Sequence, residues 1–147
     1  MMMERQHKRD MMKKILIIED DTQIGNLEQE VLEQHGYLCL RAFSGTEAVM
    51  LLEREKPDLT ILDLMLPGLS GEEVLKRIRQ IPVIVVSAKA GVDDKVALLL
   101  GGAQDYMTKP FSTKELLARV EVQMRKTNAA LSERYSAGDI VIDSVLC

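Results

Sequence analysis

Short apolar runs alternate with longer amphipathic segments along the chain. The first, third and fourth runs are almost continuously apolar, which is typical of parallel strands that are covered on both faces of a sheet. We therefore predict five strands, at residues 14–20, 37–43, 58–63, 81–88 and 103–108.

Amphipathic spacing and capping signals predict helices between these strands. The first helix is indicated by apolar residues at helical spacing, and Gly36 supplies its stop. Three more helices are expected to begin at a serine that is followed three residues later by a glutamate, because this pair can form a capping box. The apolar positions are Ile24, Leu27, Val31 and Leu32, and the serines are Ser44, Ser70 and Ser112. A further helix is expected from about Asp93 to Leu100.

Strict alternation of strands and helices predicts the fold class. Short connections of this kind favour parallel strands, right-handed crossovers and helices on both faces of the sheet. We expect an α/β fold with a five-stranded, doubly wound parallel sheet. A length of 147 residues fits one compact domain with a short appendage.

Composition narrows the class of protein. A net charge of −4 gives no support for nucleic-acid binding through this chain. Cys39 and Cys147 lack the spacing of a metal or redox pair, which points to a reducing compartment. The chain shows neither a signal peptide nor an apolar run long enough to span a membrane. We therefore expect a cytoplasmic protein without a membrane partner.

Both ends of the chain differ from the alternating pattern. Residues 1–12 are polar, and we interpret them as a solvated N-terminal extension or as the product of a start codon upstream of Met12. At the other end, within residues 128–147, Asn128, Ser132, Ser136 and Gly138 interrupt the pattern before the strand-like run "DIVID". A linker followed by the first strand of a further domain is the favoured interpretation, and a disordered tail is the alternative.

Polar residues follow the predicted strands at the edge where open parallel sheets bind ligands. They are Glu19, Asp20 and Asp21 after the first strand, Asp63 after the third, Ser87 at the end of the fourth and Lys109 after the fifth. Asp21 alone is more often a helix cap in this position. We expect the others to lie close together at one edge of the sheet.

Clustered carboxylates need a positive partner. At about 5 Å apart they would repel each other by about 3 kcal/mol at an effective dielectric constant near 20. Oxygen ligands without His or Cys favour a hard cation, and an incomplete protein shell favours Mg²⁺ over Ca²⁺. With a lysine and a serine alongside, this set suits phosphoryl transfer in which Asp63 is the nucleophile.

Other phosphoryl and cofactor chemistries fit less well. A haloacid-dehalogenase-type phosphatase needs a second aspartate two residues after its nucleophile, and Met65 stands there. A flavodoxin-like electron carrier would require an aromatic pair at its flavin, and the chain has no Trp. Neither a P-loop nor a G-x-G-x-x-G motif is present.

Four motifs resemble the receiver domain of response regulators in two-component signalling. They are "ILIIEDD" (15–21), "DLTILDLMLPGLSGEE" (58–73), "PVIVVSAKA" (82–90) and "GGAQDYMTKPFSTKEL" (101–116). The last motif is most similar to the OmpR/PhoB subfamily. The resemblance covers residues 13–127 and implies a flavodoxin-like, CheY-like fold with strand order 2-1-3-4-5.

This resemblance implies the roles of the site residues. Asp63 would accept a phosphoryl group from a sensor histidine kinase, and the protein would catalyse only its own phosphorylation and dephosphorylation. Mg²⁺ would be held directly by Asp20 and Asp63, through water by Glu19, and by the backbone carbonyl of Met65. Lys109 would pair with a phosphoryl oxygen.

The resemblance also implies a conformational switch. Ser87 would bind the phosphoryl group, and Tyr106 would swing inward when Ser87 moves. The peptide bond between Lys109 and Pro110 would be cis, as it is in this family.

A two-fold dimer is the output that the subfamily implies. Its surface would be formed by the fourth helix, the fifth strand and the fifth helix. Lys95 would pair with Glu115 of the second copy and Asp105 with Arg119, beside Leu99 and Leu116; solvated side chains are the alternative for these charges. The tail "GDIVIDSV" resembles the opening strand of a winged-helix domain, so DNA would be bound only through an effector domain that this chain lacks.

Overall fold

The computed structural model describes residues 12–78, 80–88 and 91–138, with side chains described as far as Lys126. The strands are β1 (Lys14–Ile18), β2 (Leu38–Ala42), β3 (Leu59–Leu62), β4 (Val83–Ser87) and β5 (Asp105–Thr108). The helices are α1 (Thr22–Gln34), α2 (Gly45–Arg54), α3 (Gly71–Arg77), α4 (Val92–Leu100) and α5 (Thr113–Gly138). Each predicted strand is present, shorter than its apolar run.

The five strands form one parallel sheet in the order β2-β1-β3-β4-β5. This confirms the predicted fold class and strand order. Ile18 of β1 pairs with Leu62 of β3, so the two strands end level with each other. Residues that follow these two strands therefore start from neighbouring positions on the same edge.

Two apolar layers hold the helices against the sheet. Ile15 and Ile17 point into the layer with Leu32 of α1 and Leu116 of α5. The alternate strand residues point into the opposite layer, which α2, α3 and α4 cover. Side chains alternate between the two faces of a strand, and both faces of the central strands are buried. Consecutive residues in these strands must therefore be apolar, which accounts for the continuous runs in the sequence.

Serine caps begin three helices as predicted. Each serine Oγ accepts a hydrogen bond from the backbone N–H of the glutamate three residues later, at 3.1 Å for Ser44, 3.2 Å for Ser70 and 3.0 Å for Ser112. Satisfying one otherwise unpaired backbone donor in this way typically stabilises a helix start by about 1 kcal/mol.

The buried face of α1 differs from the predicted one. Leu27 is 42% exposed, whereas Gly25, Glu28 and Leu32 are buried. The guanidinium of Arg41 lies so close to Gly25 that a Cβ atom there would collide with it. The small residue therefore faces β2, and the i+3 position, Glu28, enters the core with it.

Helix α5 is longer than the sequence indicated. Its backbone stays helical to Gly138, where we expected a linker from residue 128 onwards. Ala, Leu, Glu and Arg between 129 and 134 favour helix, and extending an existing helix avoids the cost of nucleating a new one. The strand-like run at 139–143 and the extension at 1–11 lie outside the described residues.

The described helices include none with both the length and the apolar character that crossing a lipid bilayer requires.

Candidate functional site

Three carboxylates converge where β1 and β3 end. Oxygen atoms from Glu19, Asp20 and Asp63 all lie within 4.8 Å of one another. Glu19 and Asp63 are buried, while Asp20 is exposed. The predicted convergence is therefore present, with one open side toward solvent. A set of carboxylate oxygens that is incomplete on its solvent side fits a hard, partly hydrated cation such as Mg²⁺.

Lys109 supplies the positive charge nearest to these acids. Its Nζ donates to Oε1 of Glu19 at 2.6 Å and lies 3.4 Å from Oδ2 of Asp63. Burial alone would lower the pKa of the Lys109 ammonium, but the hydrogen bond and negative charge of Glu19, together with the charge of Asp63, raise it above its ordinary value. Lys109 therefore stays protonated between the two carboxyl groups.

Glu19 experiences opposing influences. Burial raises the pKa of its carboxyl group to about 7, the negative charge of Asp63 acts in the same direction, and the hydrogen bond from Lys109 lowers the pKa in part. The 2.6 Å contact with an ammonium group favours the ionised form of Glu19. A divalent cation in the cluster would favour ionisation further, because a nearby positive charge stabilises a carboxylate.

The loop after β3 fixes the position of Asp63. The backbone N–H of Asp63 donates to the carbonyl oxygen of Ile18 at 3.0 Å, and Oδ1 of Asp63 accepts from the N–H of Met65 at 3.3 Å. At the start of α3, Gly71 packs directly on the backbone of Asp63 and Leu64, where a Cβ atom would collide. The aspartate is thus held from both sides by backbone contacts. Liganding by the Met65 carbonyl stays a prediction.

Asp21 has the capping role that its position suggested. Its Oδ1 accepts from the N–H groups of Gln23 at 3.0 Å and Ile24 at 3.1 Å, which begins α1. Its own N–H donates to Oε2 of Glu19 at 3.2 Å. Of the three consecutive acids, two enter the cluster and one caps the helix.

Ser87 and Tyr106 are joined on the side of the sheet that α4 covers. Both side chains are buried, and a hydrogen bond connects them. Burial raises the pKa of the Tyr106 phenol, and the bond with Ser87 lowers it in part. The aromatic ring therefore lies inward, with its hydroxyl next to the serine. The swing of Tyr106 on phosphorylation stays a prediction. The Lys109–Pro110 peptide bond is cis, as predicted.

The charged residues predicted for a dimer make contacts within one protomer. Arg119 Nη1 donates to both Asp105 carboxylate oxygens, at 2.7 and 2.8 Å, and Nη2 donates to Oε2 of Glu115 at 3.1 Å. The Nζ atom of Lys95 lies 5.4 Å from the centre of the Tyr106 ring. Pairing across a dimer stays a prediction for all four charges.

Leu116 is not a surface residue, and its assignment to the dimer interface was wrong. It is fully buried in the layer with Val120 and Met124, which follow at four-residue spacing along α5. The Ser112 cap sets the phase of this helix, so Leu116 points at the sheet. Leu99 of α4 is 47% exposed, as an interface residue requires.

Glu28 is a buried acid that the sequence analysis missed. Its side chain is completely buried in α1, and among the described residues neither carboxyl oxygen has a hydrogen-bond partner. Burial raises the pKa of Glu28 to about 8, and the negative charge of Glu19 adds to this shift. Its spacing from Gly25 and Leu32 was the available signal, but only once the phase of the helix is known.

The sequence of this chain matches a known domain family. The family model for the response regulator receiver domain matches residues 15–121. This chain belongs to the response regulator receiver domain family. Receiver domains are signalling modules that bind Mg²⁺ in an acidic pocket and typically work with a histidine kinase, and the acidic cluster of this receiver domain fits that pocket.

A curated relative indicates the subfamily of this receiver domain. It is 47% identical over 124 residues to the alkaline phosphatase synthesis transcriptional regulatory protein PhoP of Bacillus subtilis (strain 168), an alignment that covers 82% of this chain and 52% of the relative. The chain thus spans about half the length of that curated relative. Its similarity to PhoP places the receiver domain with the OmpR/PhoB-type regulators.

Solved receiver structures share its fold. The receiver domain of Francisella response regulator 1452 is 35% identical with a TM-score of 0.75, and the match covers 78% of this chain and 98% of that one. The BeF3-activated N-terminal receiver domain of Klebsiella pneumoniae RstA is 32% identical with a TM-score of 0.73, covering 77% and 99% respectively.

Proposed function

We propose that residues 13–127 form a phosphoacceptor domain in which Asp63 takes a phosphoryl group from a sensor histidine kinase in a Mg²⁺-dependent reaction. The observation that carries this proposal is the position of Lys109 between Glu19 and Asp63, beside the exposed oxygens of Asp20. The partner would be a kinase that presents phosphohistidine, and the reaction would take place in the cytoplasm.

The transfer is a substitution at phosphorus. One carboxylate oxygen of Asp63 forms a bond to phosphorus while the phosphorus–nitrogen bond of the donor breaks, and the departing imidazole takes up a proton. The product is an acyl phosphate on Asp63. The contacts of Asp63 with Ile18 and Met65 support this role, because they hold the nucleophile before the donor arrives.

Lys109 stabilises the charge that this reaction brings into the site. A phosphoryl group adds about 1.5 to 2 negative charges. The Lys109 ammonium, 3.4 Å from Asp63 Oδ2, moves its contact from that oxygen to a phosphoryl oxygen. Mg²⁺, when bound, would add positive charge that offsets the repulsion between the phosphoryl oxygens and the carboxylates. Asp20, Asp63 and the Met65 carbonyl would hold it, with Glu19 acting through water.

Ser87 and Tyr106 convert the added charge into a conformational preference. Phosphorylation can act only by favouring one of two conformers that are already accessible. The Ser87 hydroxyl, now bonded to Tyr106, donates to a phosphoryl oxygen in the phosphorylated state. The movement of Ser87 toward the phosphoryl group then favours the inward position of Tyr106.

The output is a homodimer formed through α4, β5 and α5. Arg119, Asp105 and Glu115 already satisfy each other within the protomer, so the dimer exchanges these contacts for equivalent ones across the two-fold axis. Each such surface pair is worth under about 1 kcal/mol, so apolar contact at Leu99 must contribute as well. In the full-length protein this dimer would regulate transcription, with DNA bound by an effector domain beyond this chain.

Intact-mass measurement tests the phosphoacceptor role. A small-molecule acyl-phosphate donor with Mg²⁺ should add one phosphoryl group to the wild type and none to Asp63→Asn. Asp93→Asn, which removes an exposed acid of α4, should be phosphorylated like the wild type. Phosphorylation of Asp63→Asn, or none of the wild type, would reject the proposal.

Light scattering tests the output. Addition of beryllofluoride and Mg²⁺ should convert a monomer into a dimer, and Leu99→Ser should weaken that dimer. An unchanged mass on addition of beryllofluoride would exclude the α4-β5-α5 dimer while leaving the phosphoacceptor role to the mass experiment.

A further inference from the structure

Helix α4 is loosely attached to the rest of the domain. Within α4, all of which the structure describes, Leu98 is the one buried residue. Four other apolar side chains of this helix are exposed, and Leu100 is 84% exposed. They are Val92, Val96, Leu99 and Leu100. Since burial of apolar side chains is the main force that holds a helix to a sheet, α4 is held weakly.

Space is also available beside α4. A cavity of about 270 Å³ that is partly open to solvent lies between α3 and α4, lined by apolar residues such as Leu64, Leu75 and Leu98 and by the charged residues Glu72, Lys76 and Asp94. A well-packed interface resists displacement because neighbouring side chains interdigitate. The cavity removes part of that resistance on the side of α3, so the contacts of α4 with β5 have a larger share in setting its position.

Lys95 makes a contact of this kind. It lies one turn before Leu98 on the inner face of α4, and it is half-buried. Its Nζ lies 5.4 Å from the centre of the Tyr106 ring, within the range of a cation–π interaction. Among the residues that the structure describes, no carboxylate forms an ion pair with Lys95. The cation is therefore available to the ring.

The aromatic partner of Lys95 is Tyr106, which is hydrogen-bonded to Ser87. Tyr106 is buried and belongs to the same apolar cluster as Leu98. Its backbone N–H donates to Oδ1 of Asp105 at 2.8 Å, which ties its strand position to the Arg119 network. An inward ring therefore offers its π face to Lys95, and an outward ring would withdraw it.

We propose that Lys95 is a positioning residue that ties α4 to the inward Tyr106, so that the position of the helix follows the rotamer of the tyrosine. The contact stabilises both partners: it holds Tyr106 inward, and it supplements Leu98 in anchoring α4. The consequence for signalling rests on the proposed function, since it makes Lys95 the link between the phosphorylation site and the dimer surface. Before Lys95 can pair with Glu115 of a second copy, it must leave the ring.

Two substitutions of Lys95 distinguish the effect of its positive charge from the effect of its side-chain packing. Lys95→Met keeps an unbranched chain and removes the cation, whereas Lys95→Arg keeps a cation that can lie over an aromatic ring. Nitration of each tyrosine is followed by mass spectrometry without any phosphoryl donor, and Tyr37 serves as the internal reference. Lys114→Met, at an exposed position of α5, is the matched control.

Lys95→Met should raise the nitration rate of Tyr106 relative to Tyr37 by roughly two- to fivefold, the ratio expected from one partly exposed cation–π contact. Hydrogen exchange of the α4 amides should accelerate in the same variant. Lys95→Arg and Lys114→Met should match the wild type in both measurements. An unchanged Tyr106 rate in Lys95→Met, or a Lys95→Arg variant as reactive as Lys95→Met, would overturn the proposal.

Failure of the phosphoacceptor role would give a different result. It would leave Asp63 without phosphate in the acyl-phosphate experiment, whereas the nitration and exchange measurements use the unphosphorylated chain. Different experiments therefore test the two proposals.

Discussion

Helix α4 and the rim of the sheet differ in how firmly they are held, where the rim is the edge that carries Glu19, Asp63 and Lys109. At the rim, Asp63 and Glu19 are buried and share the ammonium of Lys109. On α4, one side chain is buried, four apolar side chains are exposed, and a partly open cavity separates the helix from α3.

This difference suits two separate tasks, phosphoryl transfer at the strand ends and a change of position in α4. Groups that transfer a phosphoryl must be held in place before the reaction, and strand ends next to a packed core provide that rigidity. An element that changes position in response to one added group must be held by a free energy of only a few kcal/mol. The domain provides both by burying the strands on two faces and leaving α4 lightly packed.

Replacing the cation of the rim should have the largest effect. Lys109→Met leaves Glu19 and Asp63 buried side by side without an ammonium, and it removes the positive charge that meets the phosphoryl group. The phosphorylation rate should fall roughly 100-fold or more, as it does when one transition-state donor is lost. Rates with an acyl-phosphate donor, compared with Lys114→Met as control, measure this. A rate within a few-fold of wild type would mean that the rim does not depend on Lys109.

Truncation of a leucine on α5 and of one on α4 should destabilise the domain to different extents. Leu116→Ala empties a site in a closely packed layer and should lower the free energy of unfolding by about 3 to 4 kcal/mol. Leu98→Ala should cost less, about 2 kcal/mol, because Leu98 already borders a partly open cavity and α4 can shift toward it. Urea denaturation measures both. Equal losses would contradict the view that α4 is loosely packed.

Glu28 predicts how stability depends on pH. Its folded-state pKa, raised by burial to about 8, lies above the value of about 4.5 for a solvated glutamate. The folded protein therefore keeps a proton that the unfolded chain releases. The stability linked to this group is greatest below pH 4.5 and is lost as the pH rises through about 8.

Removal of the Glu28 carboxyl should reverse that loss. Glu28→Met should raise the free energy of unfolding at pH 8 by roughly 2 kcal/mol and flatten its dependence on pH between 5 and 8 relative to the wild type. Glu30→Met, at an exposed position of the same helix, is the control. If the wild type and Glu28→Met lose stability in parallel over this range, the buried carboxyl is not the source.

The surface charges near α4 should have the smallest effect. Arg119→Met breaks the contacts with Asp105 and Glu115, which are partly exposed, so the unphosphorylated monomer should lose under about 1 kcal/mol of stability. Thermal unfolding at low and high salt measures this loss, which should shrink as salt screens the charges. A loss of several kcal/mol would show that the network is structural rather than exchangeable.

Local sequence patterns predicted the rim well. The residues after β1 and β3 and at the end of β4 lie at one edge because parallel strands end on the same side, and this follows from topology alone. Asp21, Ser44 and Ser112 cap helices as their spacing indicated. These features depend on neighbours that are close in sequence or on the order of the strands.

Features that depend on distant packing were not predictable. The face of α1 depends on Arg41, a residue of another strand that lies against Gly25. Sequence spacing does not determine whether Arg119 pairs within its own chain or with a second copy. In the structure it contacts the carboxylates of Asp105 and Glu115 in its own chain. The length of α5 depends on competition between helix propagation and a composition that is also common in linkers.

Chemical location of the modified residue tests whether Asp63 is the phosphoacceptor. Borohydride reduces an aspartyl phosphate to homoserine, so the protein is treated with an acyl-phosphate donor and Mg²⁺, reduced, digested and sequenced by tandem mass spectrometry. Homoserine is expected at position 63 and at no other aspartate. Homoserine at another position, a stable phosphoester on Ser87, or an unmodified Asp63 would contradict it.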